Sequence, residues 1–129
     1  MSTELTMLVL SAVLCVLLVL PYSTAILFTQ GLGVAAGNRE NLPPLTGWVG
    51  RSKRTHANMV ENLVPFAALL LAAQGAGKLG ALTALGAQLF FYARLAHAVV
   101  YIAGIPYLRT LLWLVSVVGM VQIVVAFFG

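Results

Sequence analysis

The sequence has no aspartate and few charges of any kind: seven Lys or Arg and three Glu in 129 residues. Charged residues make up 8% of the chain and hydrophobic residues 61%, whereas a soluble domain has about 25% charged residues. This shortage of charge excludes an ordinary soluble domain. It predicts an integral membrane protein whose length fits a single domain, residues 1–129.

Cysteine is almost absent too. The only one, Cys15, lies in an apolar run, so an intrachain disulfide is excluded. No Cys and His residues stand at metal-ligand spacing, and we expect no metal site. The net charge of +4 is not accompanied by a basic, aromatic-interleaved soluble face, so a nucleic-acid partner is not expected. In a membrane protein, such an excess reflects topology and an anionic ligand.

What the sequence does have is long apolar segments, each near the 20 or so residues that span a bilayer. They predict an all-α bundle of four transmembrane helices. The expected helices are residues 5–30, 55–74, 79–102 and 108–128. The first is too long for a signal-peptide core and has no Lys or Arg before it, so we expect it to be retained. Pro21 and Pro65 predict kinks in the first and second helices.

Basic residues are distributed unequally between the two sides of the predicted bundle. Arg39, Arg51, Lys53 and Arg54 precede the second helix and Arg109 opens the fourth, while the opposite side has a single lysine. By the positive-inside rule, the first and third loops are expected to be cytoplasmic and both termini outside.

The most polar stretch is residues 51–65, RSKRTHANMVENLVP, which leads into the second helix. On a helix, Arg54, Asn58, Glu61 and Pro65 share one face. Basic residues flanking a membrane helix are common, but that explanation does not cover Glu61, which lies deeper. Charged groups inside a membrane segment mark a functional site by default.

The third helix carries a second polar face, made by Arg94, His97 and Tyr101. Glu61 is expected roughly 9 Å, and Arg94 roughly 12 Å, from the same membrane surface. Since either charge alone is costly in a membrane, we expect them to form an ion pair. The surrounding polar side chains predict an electropositive pocket suited to a small anionic ligand. These side chains are Arg51, Arg54, His56, Asn58, His97, Tyr101 and Arg109.

Other interpretations of three of these side chains stay open. Two histidines across a helix bundle can ligate haem, but His56 and His97 are expected at different depths, which disfavours haem. Either histidine can instead have a structural hydrogen-bonding role. Tyr101 also suits an interfacial anchor.

Two runs of the sequence carry a family resemblance. Residues 54–66, RTHANMVENLVPF, resemble the second-helix motif of the MAPEG family, the membrane-associated proteins in eicosanoid and glutathione metabolism. Residues 92–101, YARLAHAVVY, followed by Gly104, Pro106 and Arg109, resemble the third-helix motif and the start of the fourth. The number and order of segments match as well, so the resemblance covers essentially the whole chain.

The resemblance implies a homotrimer of four-helix subunits with glutathione bound between neighbours near the cytoplasmic face. It implies that Arg109 and Thr110 stabilise the glutathione thiolate, since a nearby guanidinium favours the ionised thiol. The side chains it implies for holding glutathione are Arg51, Arg54, Asn58, Glu61, Arg94, Tyr101 and Arg109, with His56 and His97 in support.

The sequence departs from the family pattern at two places. The segment Gln30–Gly33 lacks a basic residue that several members carry past the first helix, and Val64 stands where some have an aromatic.

The leading hypothesis is a membrane-bound glutathione transferase or peroxidase that acts on lipophilic electrophiles arriving from the bilayer. The alternative is a non-catalytic accessory or lipid-binding membrane protein of the same fold. A proton-coupled exporter ranks third, because the first helix has no acidic residue beyond Glu4 at its start.

Overall fold

The computed structural model describes all residues from Met1 to Gly129 and contains helices and connecting turns but no strands. The helices are α1 Thr3–Leu17, α2 Leu20–Gln30, α3 Leu32–Ala36, α4 Gly47–Gly75, α5 Ala81–Ala103 and α6 Pro106–Ala126. Four spans are long and apolar enough to cross a membrane. Helices α1 and α2 together form the first span, and α4, α5 and α6 form one span each. The prediction of an all-α membrane protein with four spanning helices is confirmed.

The first span is broken between α1 and α2. The break falls at Leu18 and Val19, and Pro21 lies in the first turn of α2. A proline in the first turn of a helix removes no intrahelical hydrogen bond, so it is tolerated there. The kink expected at Pro21 therefore takes the form of a break between α1 and α2, just before the proline. By contrast, α4 continues through Pro65.

Helix α4 begins at Gly47, about two turns before the expected start at Thr55. Its first turns therefore carry Arg51, Lys53 and Arg54 on a helix rather than in a loop. The segment before the helix packs directly on it, since a Cβ on Gly50 would lie only 2.6 Å from the Leu45 carbonyl oxygen. Glycine permits this close approach, which fixes the loop against the basic turns.

The hydrophobic core is centred in the half of the bundle farther from these basic turns and extends to Met59 and Ala98. Phe66 of α4 and Phe90 of α5 stack with ring centroids 3.8 Å apart, and both are fully buried. Helices α5 and α6 touch through Gly86 and Gly119, where a Cβ on either would lie 2.5 Å from the carbonyl oxygen of the other. Small residues allow such backbone contact between membrane helices, which are stabilised by packing rather than by exclusion of water.

The same half of the bundle contains a buried polar contact between α1 and α5. Glu4, only 4% exposed, accepts a hydrogen bond of 2.7 Å from the Thr83 hydroxyl. That hydroxyl accepts in turn from the Gly80 N–H at 2.8 Å. The start of α1 is therefore bonded to the start of α5 without leaving the buried carboxylate unpaired.

The basic end is formed where α4 begins, α5 ends and α6 begins. Helix α5 ends at Ala103, and the next residue, Gly104, has a φ of +88°, the left-handed conformation that favours glycine at a helix C-terminus. Pro106 then starts α6, where its fixed φ suits a first helical position. This short turn brings the end of α5 beside the start of α6, so Tyr101 and Arg109 become neighbours.

Candidate functional site

An open cleft of about 240 Å³ lies at the basic end of the bundle. Its polar walls are Arg51 and Arg54 of α4, Tyr101 of α5 and Arg109 of α6. The turn between α5 and α6 closes the remaining side with Gly104, Ile105 and Pro106. Helices α4 and α6 thus bring three guanidinium groups to one cavity, which predicts affinity for carboxylates or other anions.

The position of Arg51 is fixed by the α5–α6 turn. Its Nε donates a hydrogen bond of 3.0 Å to the Ile102 carbonyl, one of the last carbonyls of α5. A Cβ on Gly104 would lie 3.2 Å from that same Nε. Glycine at position 104 therefore adopts the left-handed conformation that ends α5 and also leaves room for the Arg51 side chain.

Arg109 rests on an aromatic pair. Its guanidinium carbon lies 4.6 Å from the centroid of the Tyr101 ring, a cation–π contact. The Tyr101 ring in turn meets the His97 ring edge to face, with centroids 5.5 Å apart. Contact through the face of a guanidinium leaves its in-plane N–H donors available for a ligand.

A second, smaller cavity of about 110 Å³ adjoins the cleft through Arg109, which lines both. It lies between α4, α5 and α6, and its walls are Asn58, His97, Arg109, Thr110 and Trp113. The predicted catalytic pair, Arg109 and Thr110, is therefore placed together with two of the predicted binding residues. The arrangement offers guanidinium, hydroxyl and amide groups to one small ligand.

Arg94 is the most unusual buried side chain. It is 1% exposed, and its Nη2 donates a hydrogen bond of 2.6 Å to the Asn58 side-chain oxygen. Its Nε and Nη1 have no hydrogen-bond partner, and neither has Nδ1 of the buried His97 beside the inner cavity. Buried polar groups are nearly always satisfied, and an unpaired buried charge is costly. Arg94 itself lines neither cavity, and it is joined to the inner one through Asn58.

The predicted Glu61–Arg94 ion pair is wrong for the single chain. Arg94 contacts Asn58, and the Glu61 side chain is exposed. The prediction compared only the depth of the two residues. Glu61 follows Asn58 by three residues, about 60° around the helix, and the structure turns Asn58 toward Arg94 and leaves Glu61 exposed.

His56 does not line either cavity. Its Nδ1 lies 3.2 Å from the hydroxyl of Tyr22 in α2, and the two rings are 5.7 Å apart. His56 therefore contacts the first span, and the structure gives it a hydrogen-bonding position rather than a place among the arginines. Glu61 is also outside both cavities, on an exposed face of α4 that includes Arg54 and Pro65.

Sequence reasoning missed Trp113, Asn62 and Tyr22. The Trp113 indole N–H donates a hydrogen bond of 3.2 Å to the Asn62 side-chain oxygen, which joins α6 to α4. The Asn62 amide also donates to the Asn58 carbonyl at 2.8 Å. A signal for Trp113 was present, since it follows Arg109 by one helical turn and so shares its face. Nothing in the pattern indicated that Tyr22 would meet His56 from another span.

Comparison with known proteins adds one finding. No curated protein and no solved structure was found to match the chain. The sequence profile of the MAPEG family matches residues 3–129, which is essentially the whole chain and includes every residue of both cavities. The protein therefore belongs to the MAPEG family, and this membership supports a role at the membrane in glutathione-related or eicosanoid metabolism.

Proposed function

We propose that this protein is a membrane-bound glutathione transferase or peroxidase for lipophilic electrophiles that arrive from the bilayer. One observation carries the proposal: the buried Arg94, with two unpartnered donors, is hydrogen-bonded to Asn58, which lines the inner of two adjoining cavities. Arg51, Arg54 and Arg109 line these cavities. A basic helix flank without a ligand would not require a buried cation with open donors.

The charges of glutathione suit this arrangement. Glutathione carries two carboxylates, and guanidinium groups bind carboxylates through paired, charge-assisted hydrogen bonds. Arg51 and Arg54 stand at the open cleft, where they would hold a carboxylate. The inner cavity beside Asn58 and His97 would receive the rest of the tripeptide.

The reactive sulfur would then lie near Arg109 and Thr110 at the start of α6. A guanidinium next to a thiol favours the thiolate, which is the nucleophile. In a transferase reaction, the thiolate forms a bond to an electrophilic carbon while the bond to the leaving group breaks and that group takes the electron pair. In a peroxidase reaction, the thiolate attacks the terminal hydroperoxide oxygen, the O–O bond breaks, and the alkoxide leaves with the electron pair and takes a proton. A second glutathione then attacks the resulting sulfenic acid, which gives the disulfide and water.

We further propose that the site is completed in a homotrimer. Glu61 and Arg54 are both exposed on one face of α4, beside the exposed apolar side chains Val60 and Val64. A charged group on an apolar helix face is costly in lipid, and contact with a neighbouring subunit or its ligand would remove that cost. Glu61 would there meet a cation, either a side chain of the neighbour or the glutathione ammonium.

Two arginine substitutions separate binding from chemistry. Arg54→Ala should raise the KM for glutathione by about tenfold or more, since it removes charge-assisted bonds in the bound state. Arg109→Ala should lower kcat at saturating glutathione by about a hundredfold, since it removes stabilisation of the thiolate. Lys78→Ala, at the opposite end of the bundle, is the matched cationic control and should change neither constant.

Steady-state kinetics with a generic aromatic electrophile measures both constants, and a thermal melt with millimolar glutathione measures binding independently. Absence of both a melting shift and conjugation would refute the enzyme proposal. The accessory or lipid-binding alternative would then take its place.

Orientation is part of the proposal. The basic end, and with it both cavities, should face the cytoplasm, with the termini outside. A Cys15→Ala protein carrying Asn41→Cys should be unreactive toward an impermeant thiol reagent in intact cells and reactive after permeabilisation. Labelling of intact cells would reverse the orientation.

A further inference from the structure

A third cleft, distinct from the two cavities described above, lies between the loop that precedes α4 and the first turns of that helix. Its volume is about 350 Å³. Three cations line it, Arg39, Lys53 and Arg54, and no carboxylate does. The other walls are Leu42, Pro43, Pro44, Leu45 and Gly50. Glu40, next to Arg39 in the sequence, lines an adjoining groove that shares Arg39 and Leu42 with this cleft.

The loop wall of this cleft is held in place by packing and by hydrogen bonds. Gly50 lets the Leu45 backbone approach α4, as described above, and two successive prolines limit the conformations of the loop. Arg39 has a φ of +59°, unusual for a residue with a side chain. Its Nε donates to the Ala35 carbonyl at 2.9 Å, which ties Arg39 to the short helix α3. The cations therefore stand around a defined cavity.

The cleft also lies where a membrane surface is expected. It surrounds the start of α4, a helix long and apolar enough to span the membrane. Trp48, 49% exposed, is in the first turn of that helix, and tryptophan is enriched at the level of lipid headgroups. The cleft combines cations with leucine and proline walls, which is the chemistry of the boundary between headgroup and acyl chain.

We propose that this cleft binds the phosphate of an anionic phospholipid, with Arg39 and Lys53 on the phosphate and the Leu42–Leu45 wall against the upper acyl chains. Basic pockets at the membrane surface recognise anionic headgroups through such contacts. The proposal needs only the membrane-spanning fold and does not depend on glutathione. Arg54 lies between this cleft and the glutathione cleft, so lipid bound here would border the proposed active site.

Lipid retention tests the proposal directly. The full chain is reconstituted in vesicles of equal amounts of phosphatidylcholine and phosphatidylglycerol, extracted in mild detergent, and the retained lipids are quantified by mass spectrometry. Phosphatidylglycerol should be enriched over phosphatidylcholine by about threefold or more. Arg39→Gln with Lys53→Gln should return the ratio to that of the vesicles. Lys78→Gln, at the other end of the bundle, should leave it unchanged.

Further arms separate the alternatives. Arg39→Lys with Lys53→Arg keeps both charges and should keep the enrichment, which shows that loss in the Gln variant is not misfolding. Millimolar inorganic phosphate should leave the retained phosphatidylglycerol in place, and complete displacement would assign the cleft to a soluble anion instead. Equal ratios in the parent protein, or enrichment that survives the Gln double variant, would overturn the proposal. Glutathione KM measured in phosphatidylcholine alone reports separately on the proposed enzyme.

Discussion

The two ends of the bundle use their polar residues in opposite ways. At the end that holds the chain termini, the Glu4 carboxylate is buried and receives a hydrogen bond from Thr83, which is bonded in turn to Gly80. At the basic end, Arg94 is equally buried but two of its donors have no partner, and four further arginines line open cavities. At the first, closed end the buried carboxylate has a hydrogen-bond partner, whereas at the second end buried donors lack partners and cavities are open.

The difference indicates where the fold is stabilised and where it can bind. The Phe66–Phe90 stack and the Gly86–Gly119 contact belong to the closed half, and their tight packing does not depend on a ligand. Buried, unpaired donors destabilise a fold on their own, and proteins accept such positions at functional sites when the rest of the structure is stable. The following predictions test this division.

The largest effect is expected in the closed half. Gly119→Ala places a Cβ 2.5 Å from the Gly86 carbonyl oxygen, a backbone atom that moves only if α5 and α6 separate. The expected loss is about 3 kcal/mol, the upper end for overpacking. Gly75→Ala is the control, because nothing lies within 4 Å of its Cβ. Thermal melts in detergent compare the two, and equal melting temperatures would refute the tight contact.

The next largest effect concerns the buried cation. Asn58→Leu removes the only hydrogen-bond acceptor of Arg94 and should cost about 2–3 kcal/mol, since hydrogen bonds to charged groups lie at the strong end. Glu61→Gln, at an exposed position, should change the stability of the detergent-solubilised monomer by less than about 0.5 kcal/mol.

A double-mutant cycle sharpens this comparison. Adding Arg94→Met to Asn58→Leu should recover part of the lost stability, because the charge is removed together with its acceptor. Melting temperatures of the single and double variants give the coupling energy. Purely additive losses would contradict the Arg94–Asn58 contact.

A smaller effect is expected at the polar contact of the closed end. Thr83→Val removes the donor to Glu4 and should cost about 1–2 kcal/mol, with glutathione KM and kcat unchanged because the contact is remote from both cavities. Thr29→Val is the matched control, since the Thr29 hydroxyl is exposed and bonds only within its own helix. A change in kinetics with Thr83→Val would contradict the separation of the two ends.

The smallest effect is expected where the first span meets the second. Tyr22→Phe removes the hydrogen bond to His56 but keeps the ring contact, and should cost about 1 kcal/mol. Tyr107→Phe, at a residue 90% exposed, should be neutral. Chemical denaturation of both variants would resolve the difference, and a neutral Tyr22→Phe would indicate that ring packing alone joins the spans.

The number of membrane spans, their helical structure and the clustering of basic residues were predictable from the sequence. The apolar segments are long enough to span a membrane on their own, and a segment in lipid must satisfy its backbone internally, which leaves a helix as the solution. The basic turn residues also fell at one end, because successive spanning helices alternate in direction. The start of α4 was less predictable, since residues 47–54 are not apolar and the helix there is fixed by packing of the preceding loop on Gly50.

The sequence by itself therefore determined an all-α membrane protein with four spanning helices, a basic end and a MAPEG motif in two of its helices. Only the tertiary structure decided which polar groups meet. It directed Arg94 to Asn58 rather than Glu61, His56 to Tyr22, and Trp113 to Asn62. The physical reason is that sequence spacing gives the depth of a side chain along its helix, whereas a contact also requires the rotation of each helix about its axis. That rotation is set by packing between helices, such as the contact at Gly86 and Gly119.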